Sequence, residues 1–280
     1  MDDGQSVNEI EQIVASVRAS PRYRSVCAST IRRIATEEWS KRTSPKLSLK
    51  RALRKAIKAT RSRLHQAYGA YESPVDYERG YRSLETAYAD GAPQAIRSAC
   101  QRILSLHTST RERLPILDRF YTELFAHTGV PRTLLDLACG LNPLSLPWMG
   151  LGDGSEYYAY DIDVERVAFL VRYFFLAKVL AHVRLQDVIC DLPTKRADVA
   201  LLMKSSTCLE RQREGSTLAL LDVLDVRHAV VTFPVKSLGR REKGMPGHYT
   251  RTFLAMLSDR PWAVTQLDFA TELAFIVHKG

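Results

Sequence analysis

The sequence predicts an α/β protein in which a helical N-terminal region precedes a parallel β-sheet. Three observations predict this class. Helical periodicity runs through residues 5–105, short apolar runs alternate with helical patterns after about residue 130, and two closely spaced apolar runs end the chain. With 280 residues, of which 45% are hydrophobic, the chain can bury a large core.

Apolar spacing and capping or breaking residues predict five helices in the N-terminal region. The first ends at Ser20-Pro21, the second begins at the capping pair Ser29-Thr30, the third follows Ser44-Pro45, the fourth runs from Ser73-Pro74 to Asp90-Gly91, and the fifth begins at Pro93.

The third of these helices is strongly basic. The formal net charge of +9 belongs entirely to residues 1–70, because residues 71–280 hold 25 basic and 25 acidic side chains. Eight bases and no acid lie between Lys46 and Arg63. One apolar stripe of this helix is predicted to pack against the rest of the protein, so that the basic side chains lie on the other faces. The stripe consists of Leu49, Leu53, Ile57, Thr60, Leu64 and Tyr68.

A helix with so many like charges is predicted to bind a polyanion, because bases one turn apart destabilise an isolated helix. Membrane attachment fits poorly, since the stripe is poor in the large aromatic residues expected at a membrane interface. The phosphate backbone of a nucleic acid is favoured, and its binding would weaken steeply with salt. A solvated basic face without a partner is the alternative.

Short apolar runs in the second half predict a sheet. Five of them are separated by helical patterns, which is typical of parallel strands. They span residues 133–139, 157–163, 183–188, 198–204 and 228–235. The last two runs, 263–269 and 272–279, flank a tight Ala270-Thr271 link and predict an antiparallel hairpin. A parallel sheet that ends in such a hairpin is the layout of class I methyltransferases.

The turn after the first strand predicts a bound ligand without a pyrophosphate. In a doubly wound sheet, ligands bind at the carboxyl ends of the strands, and Gly140 lets the backbone approach closely there. A dinucleotide fold would carry three spaced glycines, whereas Pro143 follows a single glycine here. S-adenosylmethionine (SAM) fits this pattern. Asp161, at the end of the second strand, is predicted to accept the ribose hydroxyls, and Asp187, at the end of the third, the adenine amino group.

The remaining composition excludes several classes. No run of about 18 apolar residues predicts a membrane-spanning helix, and the acidic, polar N-terminus is unlike a secretory signal. The five cysteines are scattered and form no closely spaced pair, which predicts reduced thiols in a cytoplasmic protein without a metal site. They are Cys27, Cys100, Cys139, Cys190 and Cys208.

Six segments together resemble one enzyme family. They are YRSVCASTIRRIATEEW, RSRLHQAYGAY, SLHTSTRERLPILDRFYTELF, LDLACGLNPLSLPWMGL, VVTFPVKSLGRREKGM and TELAFIVHK. The chain is similar to the aminoglycoside-resistance 16S ribosomal RNA methyltransferases, particularly the group from aminoglycoside-producing actinomycetes, which modifies N7 of a decoding-site guanine. The likeness covers most of the chain, although the 41–60 stretch is longer and more basic than expected for the family.

The resemblance implies a helical RNA-binding domain over residues 1–105 and a Rossmann-like SAM domain over residues 106–280. It implies that the substrate is the assembled 30S subunit and that the modification confers aminoglycoside resistance. Separately from the resemblance, a monomer is expected. Arg113 would hold the SAM carboxylate, and the other implied cofactor contacts are Tyr68, His107, Thr108, Ser109, Ala138, Gly140, Asp161, Asp187, Val188, Lys204 and Gln212. The RNA contacts would come from Lys46, Lys50, Arg51, Arg54, Lys55, Lys58, Arg61, Lys236 and Arg240.

Methylation at guanine N7 needs no general base, because the nitrogen lone pair is free, so no catalytic acid or base is expected. The target would instead be positioned by Lys204, Arg241, Lys243 and Met245, the last three in a basic, glycine-containing loop. Phe233 or Tyr249 could stack on a base turned out of its helix. The segment after residue 200 lacks the Asn-Pro-Pro-Tyr motif of exocyclic-amine methyltransferases, and a nucleophilic role of Cys208 is disfavoured.

Three alternatives remain open at this level. The first is methylation of N1 of the nearby adenine by an enzyme of the same plan. The second is a non-catalytic RNA-binding protein with a methyltransferase fold. The presence of Arg113, Asp161 and Asp187 argues against this alternative. The third is a nicotinamide-dependent enzyme, which the missing glycine fingerprint makes remote.

Overall fold

The computed structural model describes residues 3–42, 48–66, 75–235 and 245–280, except for the side chains of residues 3–5 and 245. The predicted Tyr68, Lys46, Lys236, Arg240, Arg241 and Lys243 lie outside these ranges, as do Ser44-Pro45 and Ser73-Pro74. Within the described ranges, no helix combines the length and the hydrophobicity that crossing a bilayer requires.

A seven-stranded sheet forms the centre of the fold, and its order is β3-β2-β1-β4-β5-β7-β6. The strands are β1 (Thr133–Leu137), β2 (Glu156–Asp161), β3 (Leu180–Leu185), β4 (Ala197–Met203), β5 (Val226–Pro234), β6 (Ala263–Asp268) and β7 (Glu272–His278). Strands β1 to β5 pair in parallel, and β7 pairs antiparallel with both β5 and β6. The predicted parallel sheet with an antiparallel C-terminal hairpin is confirmed.

Twelve helices are described. They are α1 (Asp3–Arg18), α2 (Ala28–Ser40), α3 (Leu49–Leu64), α4 (Tyr77–Asp90), α5 (Pro93–Leu104), α6 (Thr108–Arg113), α7 (Leu117–Thr128), α8 (Leu146–Met149), α9 (Val164–Leu176), α10 (Ser206–Gln212), α11 (Ser216–Val223) and α12 (Met245–Met256). All five helices predicted for the N-terminal region are present. Gly91 ends α4 in the left-handed conformation, with φ of 74°, and Pro93 begins α5 as expected.

The prediction that Ser29-Thr30 caps the second helix is wrong. Helix α2 already begins at Ala28, with Cys27 at the N-cap. A tertiary contact explains the difference, because the Cys27 amide donates to the Ile162 carbonyl at 2.8 Å and fixes the backbone just before the helix. Local capping preference is weaker than this long-range hydrogen bonding.

The buried face of α3 also differs from the predicted stripe. Ala52, Ala56, Thr60 and Leu64 are buried, whereas the predicted Leu49 is exposed and Leu53 and Ile57 are half-buried. Thr60 and Leu64 are thus buried as predicted, while Leu53 and Ile57 pack at the margin of the cluster that α3 forms with α1 and α2. The basic faces of the helix remain directed to solvent.

The apolar core has three parts. Alternate side chains of the strands point to opposite faces of the sheet, so that Leu134 joins one cluster and Leu135 the other. Helices α4, α5, α7 and α9 pack in the first of these clusters, and α10, α11 and α12 border the second. Helices α1, α2 and α3 form a third, separate cluster. Helices α4 and α5 therefore pack with the sheet, although they precede residue 106.

Candidate functional site

A cavity opens at the carboxyl ends of β1, β2 and β4, where the strand order reverses. This is the edge at which open α/β sheets bind ligands. Nine of the predicted cofactor residues line it: His107, Ser109, Ala138, Gly140, Asp161, Asp187, Val188, Lys204 and Gln212. Arg113 and Thr108 are described but do not line the cavity, and Tyr68 lies outside the described residues.

The turn after β1 brings bare backbone to the cavity. Ala138 and Gly140 both have positive φ, of 49° and 55°. Glycine adopts this conformation without penalty, whereas for Ala138 it costs about 1–2 kcal/mol, so the surrounding structure must hold it. The Gly140 amide donates to Asp161 Oδ2 at 2.9 Å, and the Cys139 amide donates to the Tyr160 carbonyl. The turn is thereby fixed to the end of β2.

Asp161 ends β2 as predicted, and its carboxylate is held in place from several sides. Arg166, on α9, donates to both carboxylate oxygens at 3.0 and 3.1 Å, and the Asp163 amide donates to Oδ1 at 2.9 Å. The charge of this buried acid is therefore compensated by a buried arginine that also lines the cavity. Sequence reasoning missed Arg166, because nothing in its local pattern separates it from other helical arginines.

Asp187 lies two residues beyond the end of β3, since that strand spans 180–185 and not the predicted 183–188. Its Oδ2 accepts from Arg33 Nε at 2.9 Å, and Oδ1 accepts from the Ile189 amide at 3.1 Å. The second Arg33 nitrogen, Nη2, donates to Gln212 Oε1 at 2.7 Å. Arg33 belongs to α2, so the N-terminal region reaches two residues of the cavity wall. Sequence reasoning missed this residue as well.

Arg113, the predicted contact of the SAM carboxylate, is buried beside the cavity and is not among the residues that line it. Its side chain is 2% exposed, and its Nη2 donates to Glu272 Oε1 at 2.7 Å. Nη1 donates to Asn142 Oδ1 at 2.5 Å, and the guanidinium lies over the Phe120 ring. Burial opposes ionisation of Glu272, yet Arg113 and Lys204 hold the pKa of that carboxyl below its usual value. Arg113 is thus committed to a buried acid.

Lys204 is, with Arg166, one of the cations at the cavity wall. It follows β4 with a positive φ of 55°, and its Nζ lies 3.0 Å from Glu112 Oε2 and 3.2 Å from Glu272 Oε2. The same nitrogen donates to the Ser109 carbonyl at 3.2 Å. Glu272 therefore connects Lys204 to Arg113, and α6, β4 and β7 meet at this ammonium group.

Two further wall residues are held in their neutral form. Burial, assisted by Arg166 and Arg111, lowers the pKa of His107 to about 3, so its imidazole is uncharged at neutral pH. Burial raises the pKa of the Cys139 thiol well above its usual range, and nearby Asp161 acts in the same direction. Cys139 is therefore not a thiolate nucleophile. Cys208 also lines the cavity and is half-buried.

Behind the wall, Asp136 is fully buried. Its Oδ2 accepts from the Tyr157 hydroxyl at 2.6 Å and from Asn142 Nδ2 at 3.0 Å. Burial raises the pKa of Asp136 to about 7. Asn142 also accepts from Tyr121 and from Arg113, so the carboxyl, amide, phenol and guanidinium groups form one buried network under the turn after β1.

Six of the nine predicted RNA contacts lie on α3, and the other three, Lys46, Lys236 and Arg240, lie outside the described residues. Lys50, Arg51, Arg54, Lys55 and Lys58 are exposed, and within the described ranges none of them lies at salt-bridge distance from a carboxylate. Arg61 is half-buried and donates to the Ser16 carbonyl at 2.7 Å, which ties it to α1. Five cations of α3 are thus available on one surface.

The two aromatic candidates lie together. Phe233 is 5% exposed, and its ring stacks on Tyr249 with 4.8 Å between centroids. Phe233 is part of the core and is not available to stack on a base, whereas Tyr249 is half-buried at the edge of this cluster. Met245 begins α12. In the portion of the chain that is described, no group of His, Cys, Asp and Glu side chains has the arrangement of a metal site.

Comparison with known proteins gives consistent matches over the whole length. A family model described as ribosomal RNA methyltransferase (FmrO) matches residues 19–276. The chain is 38% identical over 274 residues to a 16S rRNA (guanine(1405)-N(7))-methyltransferase of Micromonospora echinospora, covering 97% of both proteins. It is 36% identical to an enzyme of the same name from Serratia marcescens, covering 97% of this chain and 99% of that one.

Solved structures agree with the sequence matches. The chain superposes on the crystal structure of the 16S rRNA methyltransferase RmtF in complex with S-adenosyl-L-homocysteine with a TM-score of 0.80 and 32% identity, over 100% of both chains. It superposes on the 16S rRNA methylase RmtB with a TM-score of 0.75 and 30% identity, over 97% of this chain and 98% of that one.

Proposed function

The chain belongs to the FmrO family of ribosomal RNA methyltransferases, and we propose that it transfers the methyl group of SAM to N7 of a guanine in the decoding region of 16S rRNA. The observation that carries the proposal is a cavity at the sheet edge, lined by Gly140, Asp161 and Asp187, in a chain that matches guanine-N7 methyltransferases over 97% of its length. Such a modification would confer aminoglycoside resistance.

The residues at the cavity fit SAM. The left-handed turn after β1 places the backbone of Gly140 beside the cavity, where a side chain would otherwise occupy the space of a ligand. Asp161 and Asp187 in the cavity wall can accept hydrogen bonds from a ribose and from an adenine amino group. Asp161 would accept the ribose hydroxyls and Asp187, with Val188, would bind the adenine. His107, Ser109 and Lys204 would border the methionine end. Arg113 would act through Glu272 and Lys204, without touching the cofactor itself.

When bound, SAM supplies an electrophilic methyl group on a sulfonium centre. Guanine N7 already carries a free lone pair, so the protein has no proton to remove, and its contribution is an in-line approach of about 3–3.5 Å. The cavity residues agree with the lack of a general base, because the lowered pKa of His107, about 3, makes its imidazole a weak proton acceptor, and the Cys139 thiol is protonated. Lys204 at the wall would help to position the target, together with Arg241, Lys243 and Met245.

The RNA would contact the N-terminal region. The exposed cations of α3 suit a phosphate backbone, and Lys46, Arg61, Lys236 and Arg240 would extend the same contact. In this proposal, residues 1–105 bind the RNA and residues 106–280 bind SAM. The substrate would be the assembled 30S subunit, bound by a monomer in the cytoplasm, with the guanine turned out of its helix.

Transfer of tritium from labelled SAM tests this proposal. Purified protein is incubated with intact 30S subunits and, separately, with protein-free 16S rRNA. Label is expected in the 30S subunits and not in the free RNA. Label in neither substrate would contradict methyltransferase activity, and label in free RNA alone would contradict the assembled subunit as the substrate.

A further inference from the structure

We propose that Arg33, on α2, is a positioning residue for the cofactor cavity, which fixes Asp187 and Gln212 in place so that docking of α2 and α3 completes the cavity. The inference rests on the proposed function, because it assigns Asp187 and Gln212 to a SAM-binding wall. It adds Arg33, a residue of α2, to the cofactor contacts that the family resemblance implies, among which Tyr68 is the other residue from the N-terminal region.

The geometry of Arg33 is that of a clamp. Its side chain is 7% exposed, and that of Asp187 is 5% exposed. Two of its nitrogens, Nε and Nη2, lie within 2.9 Å of Asp187 Oδ2, and Nη2 also donates to Gln212 Oε1. One planar guanidinium thus orients a carboxylate and an amide that come from different elements. Such a bridging role requires the guanidinium shape and not the charge alone.

A second arginine strengthens the same contact from α3. Arg63 donates to the Gln212 carbonyl, and its Nη1 lies 2.7 Å from Glu37 and 3.1 Å from Glu38. The end of α10 is therefore held both by its side chain, through Arg33, and by its backbone, through Arg63. Both arginines belong to the region that also carries the exposed cations of α3.

A third contact joins the N-terminal region to the residues that follow Asp161. Val26 and Asp163 form an antiparallel bridge, in which the Val164 amide donates to the Ser25 carbonyl at 2.8 Å. The Ser25 hydroxyl also donates to Asp163 Oδ2 at 2.8 Å. The chain segments that carry both acidic wall residues are thus attached to helices outside the sheet.

These contacts link the cofactor cavity to the RNA-facing helix. If α2 and α3 shift against the sheet, Asp187 and Gln212 lose the groups that orient them, and the cofactor is held less tightly. Because such coupling is reciprocal for binding free energies, a bound cofactor also favours the docked position of α3.

Calorimetry with S-adenosyl-L-homocysteine (SAH) tests the assignment. Arg33→Gln is expected to weaken SAH binding about tenfold, which is within the usual range of coupling between sites. Arg32→Gln is the matched control, because Arg32 is the adjacent arginine of α2 and pairs with Glu11 on the surface. The control removes the same charge from the same helix and should bind SAH as the unchanged protein does.

Arg33→Lys is included in case Arg33→Gln does not fold. The lysine keeps a positive charge beside the buried Asp187, so this variant is expected to fold. It cannot bridge to Gln212 with a planar fork, so its SAH affinity should lie between those of the unchanged protein and Arg33→Gln. Full affinity in Arg33→Lys would contradict the clamp. The melting temperatures of all variants are measured first, and SAH binding is compared well below the lowest of them.

A double-mutant cycle separates positioning from general stability. If Arg33 acts through Asp187 and Gln212, adding Arg33→Gln to Asp187→Asn should weaken SAH binding by clearly less than the tenfold expected for Arg33→Gln alone, because only the contact with Gln212 is still there to be lost. Full additivity of the two effects would overturn the inference. Unchanged affinity in Arg33→Gln would also overturn it and leave the proposed function intact, whereas an unchanged protein that does not bind SAH would contradict both.

Discussion

Arg113 and Lys204 share one buried carboxylate, Glu272, and this arrangement determines what each cation can do. Arg113 is fully enclosed by Glu272, Asn142 and Phe120, whereas Lys204 reaches the cavity wall. A buried ion pair is strongly destabilised when one partner is removed, because the other charge stays buried without compensation. We therefore assign Arg113 to the stability of the site and Lys204 to its surface.

Removal of Arg113 should destabilise the fold. Arg113→Ala is expected to lower the free energy of unfolding by about 3–5 kcal/mol, because Glu272 would remain buried without its main partner. Arg119→Ala is the matched control, since Arg119 is exposed, forms a surface ion pair with Glu123 and otherwise lies over the Phe269 ring. Urea unfolding measures both. A loss below about 1 kcal/mol for Arg113→Ala would contradict the assignment.

Asp136 should make stability depend on pH. Its pKa is raised from 3.8 to about 7 on folding, so its contribution to stability is complete below the lower value and is lost as the pH rises through the higher one. Asp136→Asn removes this titration. The free energy of unfolding of the unchanged protein, minus that of the variant, should fall by about 1.4 kcal/mol per pH unit inside this window. A difference that stays constant with pH would refute the shift.

At the scale of elements, the strands were predictable and their long-range partners were not. Apolar runs bounded by turns predicted the presence of all seven strands, and burial on both faces leaves such a local pattern in the central ones. The bounds of β3 were predicted three residues too late, because this strand is largely exposed and its local pattern is weak. The cap of α2 was predicted wrongly, because a backbone hydrogen bond to Ile162 decides it. The buried face of α3 was predicted in part: Thr60 and Leu64 are buried as expected, whereas Ala52 and Ala56 were missed.

The site shows the same division. Gly140, Asp161 and Asp187 were predictable because they follow strands, and Lys204 because it lies in a segment with a family resemblance. Arg33 and Glu272 were not, because each meets its partner across more than 150 residues of sequence. No local pattern records such a contact. It becomes visible only when the helices dock against the sheet.

Helix α3 should carry the affinity for the ribosome. Arg51→Glu combined with Lys55→Glu is expected to weaken 30S binding at least about tenfold, to reduce its salt dependence by about two phosphate contacts, and to spare SAH binding. Arg132→Glu with Arg196→Glu is the control, because both residues are exposed at the opposite, amino-terminal edge of the sheet. Filter binding of 30S subunits at several salt concentrations measures the effect. Equal binding by both double variants would show that α3 has no RNA contact.

In the whole molecule, the basic region and the cofactor cavity belong to different parts of the chain, and a few contacts connect them. The net charge of +9 lies in residues 1–70, and the cavity lies at the edge of a sheet whose surroundings carry no net charge. Arg33, Arg63 and the bridge at Val26 connect the two. This arrangement suits an enzyme that binds a large folded RNA with its basic N-terminal region and holds the methyl donor in the cavity of the sheet.

The position of the transferred methyl group shows directly whether the protein methylates N7 of a guanine in the decoding region. Isolated 30S subunits are incubated with the protein and SAM, and the decoding-region fragment of their 16S rRNA is sequenced by mass spectrometry, with borohydride and aniline cleavage to identify N7-methylguanosine. One methyl group is expected, on N7 of a single guanine. A methyl group on N1 of an adenine, or an unmodified fragment, would contradict this expectation.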